Sequence, residues 1–221
     1  MSLSVEYWLV DLQHSEQQAK ELVDLLNDEE KIRAKRFKFE ELQNKFIVGR
    51  GCLRQILGSY LSKDPSKLEF SYNQYGKPAV DGIFFNFSHT KKYAFCGVIQ
   101  AKAIAIGVDI ETRERNSDTL ALAKRFFHPD EYICVEKAQP DERQSIFLQI
   151  WTAKEAYLKA KGTGLQGGLS SFKVQLKPSP QIISPAKDDW SLKLFSMDAE
   201  HHQAIAVQHS DCTYIDRGFW H

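Results

Sequence analysis

The sequence lacks several features that mark specialised classes of protein. It has only four cysteines among 221 residues, and no two of them are spaced closely enough to suggest a zinc site or a disulfide framework. Lysine plus arginine and aspartate plus glutamate both number 29, so the formal net charge is zero. This balance argues against capture of nucleic acid by a broadly basic surface, although it leaves room for a local basic site.

Apolar runs long enough to cross a bilayer are also missing, and the first residues lack the basic and apolar regions of a signal peptide. Together with the isolated thiols, these absences predict a cytoplasmic protein with reduced cysteines and no membrane partner. What is present is an ordinary globular balance of 43% hydrophobic and 26% charged residues. The length suits one large domain or two small ones.

Two long helices stand out from the spacing of apolar residues. The pattern predicts one helix over Glu40–Leu61 and another over 145–161, each followed by a turn and short strands. This repeated order hints at an internal duplication, with an N-terminal half over 1–112 and a C-terminal half over 113–221. The second helix carries Glu155 and Lys159 four residues apart, on one face. Alone, such a pair indicates only an exposed ion pair worth about 0.3–0.5 kcal/mol.

Two acidic residues end the apolar strand predicted before the second half. In Gly-Val-Asp-Ile-Glu at 107–111, alternate side chains point the same way, so Asp109 and Glu111 project together about 6–7 Å apart. Two carboxylates in this position can hold a divalent cation, but they can equally be solvated and inert.

Polar residues also end the strand at 85–90, with the sequence Phe-Asn-Phe-Ser-His-Thr. Ser88 and His89 could contact a phosphate, or they could simply mark a transition from strand to turn. Lys77 lies at the tip of a tight turn at 75–78, where it suits either a phosphate or solvent.

Together, these carboxylates and bases are the functional groups that metal-assisted phosphoryl transfer requires. Asp109, Glu111 and Glu155 could ligate Mg²⁺, which leaves positions open for phosphate oxygens. Lys159 lies one helical turn from Glu155, near the reacting centre of such a site. Other phosphates could be held by Lys77, Ser88, His89 and the bases of the segment 31–50.

At this point the chain resembles a known family. The segments 85–90, 107–111 and 151–159, in this order and roughly at these spacings, resemble three signature motifs of the 4′-phosphopantetheinyl transferases. The length is similar to that of the single-chain, surfactin-synthetase-activating type. Gly-x-Asp-x-Glu followed by Trp-x-x-Lys-Glu-x-x-x-Lys is a specific combination, and the likeness extends over roughly 25–175.

The resemblance implies an α+β fold: a pseudo-dimer of two similar halves, each with a long helix packed on a small antiparallel sheet, and monomeric as a chain. Coenzyme A, the co-substrate, would lie in the cleft between the halves. Asp109, Glu111 and Glu155 would hold Mg²⁺, with Mn²⁺ as a substitute, on its pyrophosphate. The residues implied to bind coenzyme A are Lys31, Arg33, Lys45, Lys77, Ser88 and His89, with Lys35 or Arg50 as alternatives in the basic segment.

The implied reaction is that of a holo-(acyl-carrier-protein) synthase. The 4′-phosphopantetheine arm of coenzyme A passes to a serine of an apo acyl, polyketide or peptidyl carrier protein, and 3′,5′-ADP leaves. The implied catalytic residues are Lys159, Glu155 and Glu131. Lys159 would stabilise the leaving phosphate, and Glu155 could be both metal ligand and base, directly or through a metal-bound water. Glu131 matches a recurrent acid of the family, which could instead only position a water or the metal shell. Docking of the carrier is expected near 121–127 in the C-terminal half.

Two alternatives compete with this interpretation. A Mg²⁺-dependent nuclease or phosphodiesterase would favour a lysine two residues after the second acid, where Arg113 stands, and a basic surface. A non-catalytic coenzyme A-binding protein would not need three carboxylates and Lys159.

Overall fold

The computed structural model describes residues 2–13, 15–101, 104–113, 118–184 and 189–220. The helices are α1 (Ser15–Leu22), α2 (Asp28–Lys35), α3 (Glu40–Leu61), α4 (Thr119–Phe126), α5 (Pro129–Lys137) and α6 (Pro140–Lys161). The strands are β1 (Leu3–Asp11), β2 (Ser71–Tyr72), β3 (Pro78–Ala79), β4 (Phe84–His89), β5 (Tyr93–Ile99), β6 (Ile106–Thr112), β7 (Lys173–Gln175), β8 (Gln181–Ile183), β9 (Ser191–Ser196), β10 (His201–Val207) and β11 (Cys212–Phe219). No helix in these ranges is long and apolar enough to cross a bilayer.

The two long helices, α3 and α6, are both 22 residues long. α3 has the predicted bounds, whereas α6 begins five residues before the predicted start, at Pro140. Proline fits the first position of a helix because its missing N–H has no partner there in any case. Both helices end at a left-handed residue, Ser62 (φ 51°) and Gly162 (φ 70°).

Each long helix packs on a sheet, and both sheets contain three antiparallel strands. The N-terminal sheet has the order β11-β1-β5-β4, and the C-terminal sheet has the order β6-β10-β9. β1, β5 and β4 are antiparallel, as are β6, β10 and β9. The predicted α+β fold, with a long helix and a small antiparallel sheet in each half, is therefore confirmed.

One strand departs from this expectation. β11 pairs in parallel with β1, with Leu3 opposite Cys212 and Val5 opposite Tyr214, so the N-terminal sheet is four-stranded and mixed. Its polar residues interrupt the alternation that would have predicted a strand. β6, in turn, precedes residue 113 but belongs to the C-terminal sheet. The division into 1–112 and 113–221 stays a prediction. Two strands do not follow it, because β6 pairs with β10 of the second half and β11 pairs with β1 of the first half.

The two sheets pack on each other through a shared apolar cluster. Val5 and Tyr7 of β1 and Phe95 of β5 meet β6 there, and all three are buried. β6 contributes the even-numbered side chains Ile106, Val108 and Ile110. Because strand side chains alternate, its odd-numbered residues face the opposite way, toward α6.

A buried ion pair recurs in both halves at equivalent places. Arg54 donates from Nε to Glu30 Oε2 at 2.8 Å, and Lys154 Nζ lies 2.8 Å from Glu131 Oε1. Each base stands fourteen residues after the start of its long helix (40 to 54, 140 to 154) and also donates to two carbonyls of the segment that follows that helix. Each acid is the third residue of a short helix and closes a capping box. The duplication hinted at by the sequence is therefore present in side-chain detail.

We expect Glu131→Ala to lower the free energy of unfolding by about 3–5 kcal/mol, because the Lys154 ammonium would remain buried without its carboxylate. As a control, Glu16→Ala removes a carboxylate from the exposed pair with Lys20 and should leave the urea midpoint nearly unchanged. Urea unfolding followed by circular dichroism measures both. Equal shifts in the two variants would contradict this account of the buried pair.

Candidate active site

The candidate site is built on an unusually close contact between a strand and a helix. A Cβ atom added to Gly107 of β6 would lie 2.0 Å from Ala156 O and 2.3 Å from Ala160 N. Only glycine lets the backbone of α6 approach the strand this closely. Asp109 shares the face of β6 that carries Gly107, so its carboxylate points toward α6.

Three chain segments meet at Asp109, which is 3% exposed. Its Oδ1 accepts hydrogen bonds from Ser88 Oγ at 2.9 Å and from Lys159 Nζ at 2.6 Å. Lys159 Nζ also donates to Ser88 Oγ at 2.8 Å. We call these three residues the Asp109 cluster. It brings together β4, β6 and α6, and with them one residue from each of the three sequence motifs.

Glu111 and Glu155 flank this cluster, and both are half-buried. Glu111 Oε1 accepts a hydrogen bond from Trp151 Nε1 at 3.2 Å, which fixes the end of β6 against α6. Glu155 lies one helical turn after Trp151 and one turn before Lys159.

A cation fits the cluster through one particular atom. Asp109 Oδ2 is buried and has no hydrogen-bond partner among the described residues, an arrangement that costs free energy unless another group satisfies the oxygen. A hard cation such as Mg²⁺ prefers oxygen ligands of this kind. In the described part of the chain, however, no three His, Cys, Asp or Glu side chains lie close enough to form one metal-binding group. The joint ligation by Asp109, Glu111 and Glu155 therefore stays a prediction.

His89 extends the cluster toward solvent. Desolvation of its ring lowers its pKa, and the nearby positive charges of Lys159 and Arg33 lower it further, so the imidazole is neutral at neutral pH. Arg33 is exposed on α2, with its guanidinium 5.2 Å from the centre of the Phe46 ring. These positive charges form an environment suited to an anion.

The other predicted bases differ in their surroundings. Lys31 is half-buried on α2 and Lys35 is exposed there, while Lys45 of α3 pairs with Glu41. Arg50 lies 3.4 Å from Glu30 and 4.9 Å from the centre of the Phe70 ring, and burial lowers its pKa. The structure thus places Arg50 in the buried Glu30–Arg54 network.

The ammonium group of Lys77 binds backbone carbonyl oxygens. Its Nζ donates to Ile106 O at 2.9 Å and to Ala160 O at 3.0 Å, and burial lowers its pKa to about 8. In the same turn, Asn73 Nδ2 donates to Gly162 O at 2.9 Å. The predicted phosphate-binding turn is therefore fastened to the end of α6, beside a cavity of about 670 Å³.

Several known proteins are similar to this chain in sequence. A family model described as the 4′-phosphopantetheinyl transferase superfamily matches residues 105–208, and one described as the N-terminal part of a 4′-phosphopantetheinyl transferase matches residues 11–101. The 4′-phosphopantetheinyl transferase HetI of Nostoc sp. is 38% identical over 213 residues, which cover 94% of this chain and 89% of HetI. The chain belongs to the 4′-phosphopantetheinyl transferase family.

Two further relatives agree with this assignment. A 4′-phosphopantetheinyl transferase of Bacillus subtilis is 30% identical and covers 83% of this chain and 82% of its own length. The 4′-phosphopantetheinyl transferase Sfp of Bacillus subtilis (strain 168) is 28% identical over 89% of this chain and 88% of its own length. The family resemblance read from the sequence motifs is confirmed.

Glu131, whose predicted catalytic role stays a prediction, lies in the core of the C-terminal half. It is 1% exposed, and its Oε1 faces Lys154 and accepts from Val174 N at 2.5 Å. Its Oε2 accepts from His128 N at 2.8 Å, which closes the capping box of α5. Both oxygens therefore have partners inside the C-terminal core.

Sequence reasoning missed Asn86, which is 4% exposed and lies two residues before Ser88 on the same face of β4. Its Oδ1 accepts a hydrogen bond from Val108 N at 2.8 Å. The available signal was an amide side chain inside an otherwise apolar strand, where a buried polar group needs a partner.

We expect Gly107→Ala to destabilise the transferase by about 1–3 kcal/mol or more, since the new methyl group would overlap backbone atoms of α6 that cannot move independently. Gly49→Ala is the matched control, because its Cβ would meet Phe87 at 3.6 Å, an ordinary contact, within helix α3. It should keep or raise stability, since alanine favours helices more than glycine by about 1 kcal/mol. Urea unfolding measures both, and similar midpoints for the two variants would contradict the close contact.

Proposed function

We propose that this transferase moves the 4′-phosphopantetheine arm of coenzyme A to a serine of an apo carrier protein and releases the holo carrier and 3′,5′-ADP. The observation that supports this most directly is the Asp109 cluster, in which Ser88, Asp109 and Lys159 converge from three separate segments of a family member. The family assignment also favours a transferase over a nuclease or a non-catalytic coenzyme A-binding protein.

In the proposed reaction, the carrier serine oxygen bonds to the β-phosphorus of coenzyme A. The bond from that phosphorus to the oxygen bridging to the α-phosphate breaks, and 3′,5′-ADP keeps the electron pair. Glu155, at the half-buried edge of the site, accepts the serine proton. Lys159 donates a hydrogen bond to the leaving phosphate, for which its ammonium is placed by Asp109 and Ser88.

We assign the metal site to Asp109, Glu111 and Glu155, with Mg²⁺ as the cation and Mn²⁺ as a substitute. When bound, the cation neutralises charge on the pyrophosphate and orients it for in-line attack. The support within this structure is the buried, unpartnered Oδ2 of Asp109.

The phosphates of coenzyme A would be bound at the open side of the cluster by Ser88, His89 and Arg33, with Lys31 and Lys45 nearby on α2 and α3. Arg50 and Lys77 would act indirectly, because both have buried partners within the protein. Lys77 would fix the turn at 75–78 beside the ligand.

The carrier could be an acyl, polyketide or peptidyl carrier protein, and the holo-(acyl-carrier-protein) synthase activity is one case. The surface around 121–127 is the proposed docking site. There Lys124 and Arg125 are exposed on α4, where they suit an acidic partner. We expect a monomeric enzyme of the cytoplasm.

We expect the purified protein, with coenzyme A and Mg²⁺, to add one phosphopantetheine mass to the serine of at least one apo carrier. Asp109→Ala should abolish the transfer while the protein still folds, because it removes the acceptor of Lys159 and the proposed metal ligand. Asp24→Ala, an exposed aspartate, is the matched control and should remain active. Intact-mass spectrometry over a panel of unrelated carriers measures this. Unchanged spectra for every carrier would contradict the function, and an active Asp109→Ala variant would contradict the role of Asp109.

We expect the affinity for coenzyme A to rise several-fold as the pH falls from about 8 to about 6. His89 is neutral in the free protein because its pKa is lowered, and a bound phosphate raises that pKa, so binding takes up a proton. His89→Gln should remove this component. Since the ligand's own phosphate titrates near pH 6, calorimetry must compare the variant with the wild type. Identical pH profiles for the two proteins would show that His89 does not face the phosphate.

A further inference from the structure

The two sheets meet along a seam between β4 and β6. β4 is an edge strand of the N-terminal sheet and pairs with β5, while β6 is an edge strand of the C-terminal sheet and pairs with β10. Within the described ranges, no backbone ladder joins β4 to β6. An edge strand presents unpaired backbone groups, so other groups must satisfy those that are buried in the seam.

Side chains of β4 cross this seam in place of a ladder. Asn86 Oδ1 accepts from the backbone N–H of Val108 at 2.8 Å, and Ser88 Oγ donates to Asp109 Oδ1 at 2.9 Å. Asn86 and Ser88 are two residues apart and so share one face of β4, while Val108 and Asp109 are consecutive on β6. The two bonds therefore fix the position of β6 along β4 at Val108 and Asp109.

The two bonds differ in what they hold. Ser88 contacts the carboxylate itself, but Asn86 contacts the backbone N–H of Val108, the residue before Asp109. Asn86 is 4% exposed and Val108 is fully buried, so water would not readily replace the lost acceptor. Without this bond, β6 could shift along the seam by a fraction of an ångström, and the carboxylate would move with it.

We propose that Asn86 is a positioning residue for Asp109. Through the Val108 amide it holds β6 in register with β4, so that one oxygen of Asp109 meets Ser88 and Lys159 while the other stays unpartnered for a cation. Asn86 does not contact the reacting groups. The inference rests on the proposed function only in assigning a cation to Asp109, and its main test does not require transfer activity.

The test is Mn²⁺ binding to the purified full-length protein, followed by the loss of the free Mn²⁺ signal in electron paramagnetic resonance. Asn86→Leu keeps the approximate volume but removes the acceptor, and it should weaken Mn²⁺ binding by roughly 10–100-fold, as loss of an outer partner of a metal ligand typically does. Asn86→Asp keeps an oxygen at the same place and should bind Mn²⁺ at least as tightly as the wild type. Asn86→Ser, which places its oxygen too far from Val108, should lie between them and replaces Asn86→Leu if that variant does not fold.

Thr152→Val is the structural control. The Thr152 hydroxyl is fully buried and donates to Leu148 O at 2.7 Å inside α6, so its removal lowers stability without touching the seam. We expect unchanged Mn²⁺ affinity in this variant. Amide hydrogen exchange at Val108 should accelerate in Asn86→Leu and stay slow in Thr152→Val.

Three results would overturn the inference: wild-type Mn²⁺ affinity in both Asn86→Leu and Asn86→Ser, an equal loss of affinity in Thr152→Val, or a wild-type protein that does not bind Mn²⁺. Failure of the proposed function alone looks different. In that case the wild type binds Mn²⁺ and the Asn86 variants weaken it as expected, but no carrier gains a phosphopantetheine.

Discussion

The candidate site depends on the contact between the backbones of β6 and α6 at Gly107. With any other residue there, the helix would have to stand farther from the strand, because an added Cβ would lie 2.0 Å from a helix carbonyl oxygen. The distance between strand and helix determines whether Lys159 reaches Asp109, and the ion pair at 2.6 Å is its direct result. The burial that follows makes the carboxylate a strong ligand and an expensive group to leave without a partner.

The duplication repeats the buried framework in both halves, but not the residues of the candidate site. Glu30–Arg54 and Glu131–Lys154 occupy equivalent places and tie a short helix, a long helix and the following segment together in each half. When the two long helices are aligned by their first residues, positions 55 and 59 of α3 correspond to positions 155 and 159 of α6. Positions 55 and 59 hold Gln55 and Ser59, so α3 lacks counterparts of Glu155 and Lys159.

Local pattern predicted the two long helices and part of the site, whereas the arrangement of two similar halves came from the family resemblance. Strand alternation was enough to place Asp109 and Glu111 on one face, and helical spacing was enough to place Glu155 beside Lys159. Lys77 and Glu131 show what the pattern cannot supply. The partners of Lys77 are carbonyls of Ile106 and Ala160, which no side-chain identity reveals. Glu131 has the residue type of a catalytic acid, and its pairing with buried Lys154 is visible only in the structure. The roles of all the predicted site residues stay predictions.

The parallel pairing of β1 with β11 has a consequence for how the chain is made. Leu3 lies opposite Cys212, so the ribosome must add more than two hundred residues before the partner of the first strand exists (3 to 212). During that time β1 can pair with β5 but has an open edge on its other side, which is a site for wrong pairing in a crowded cell. Contacts of such long sequence separation form slowly, so we expect the pairing of β1 with β11 to form late in folding. A nascent or truncated chain that ends before β11 would be a natural client for chaperones that shield strand edges.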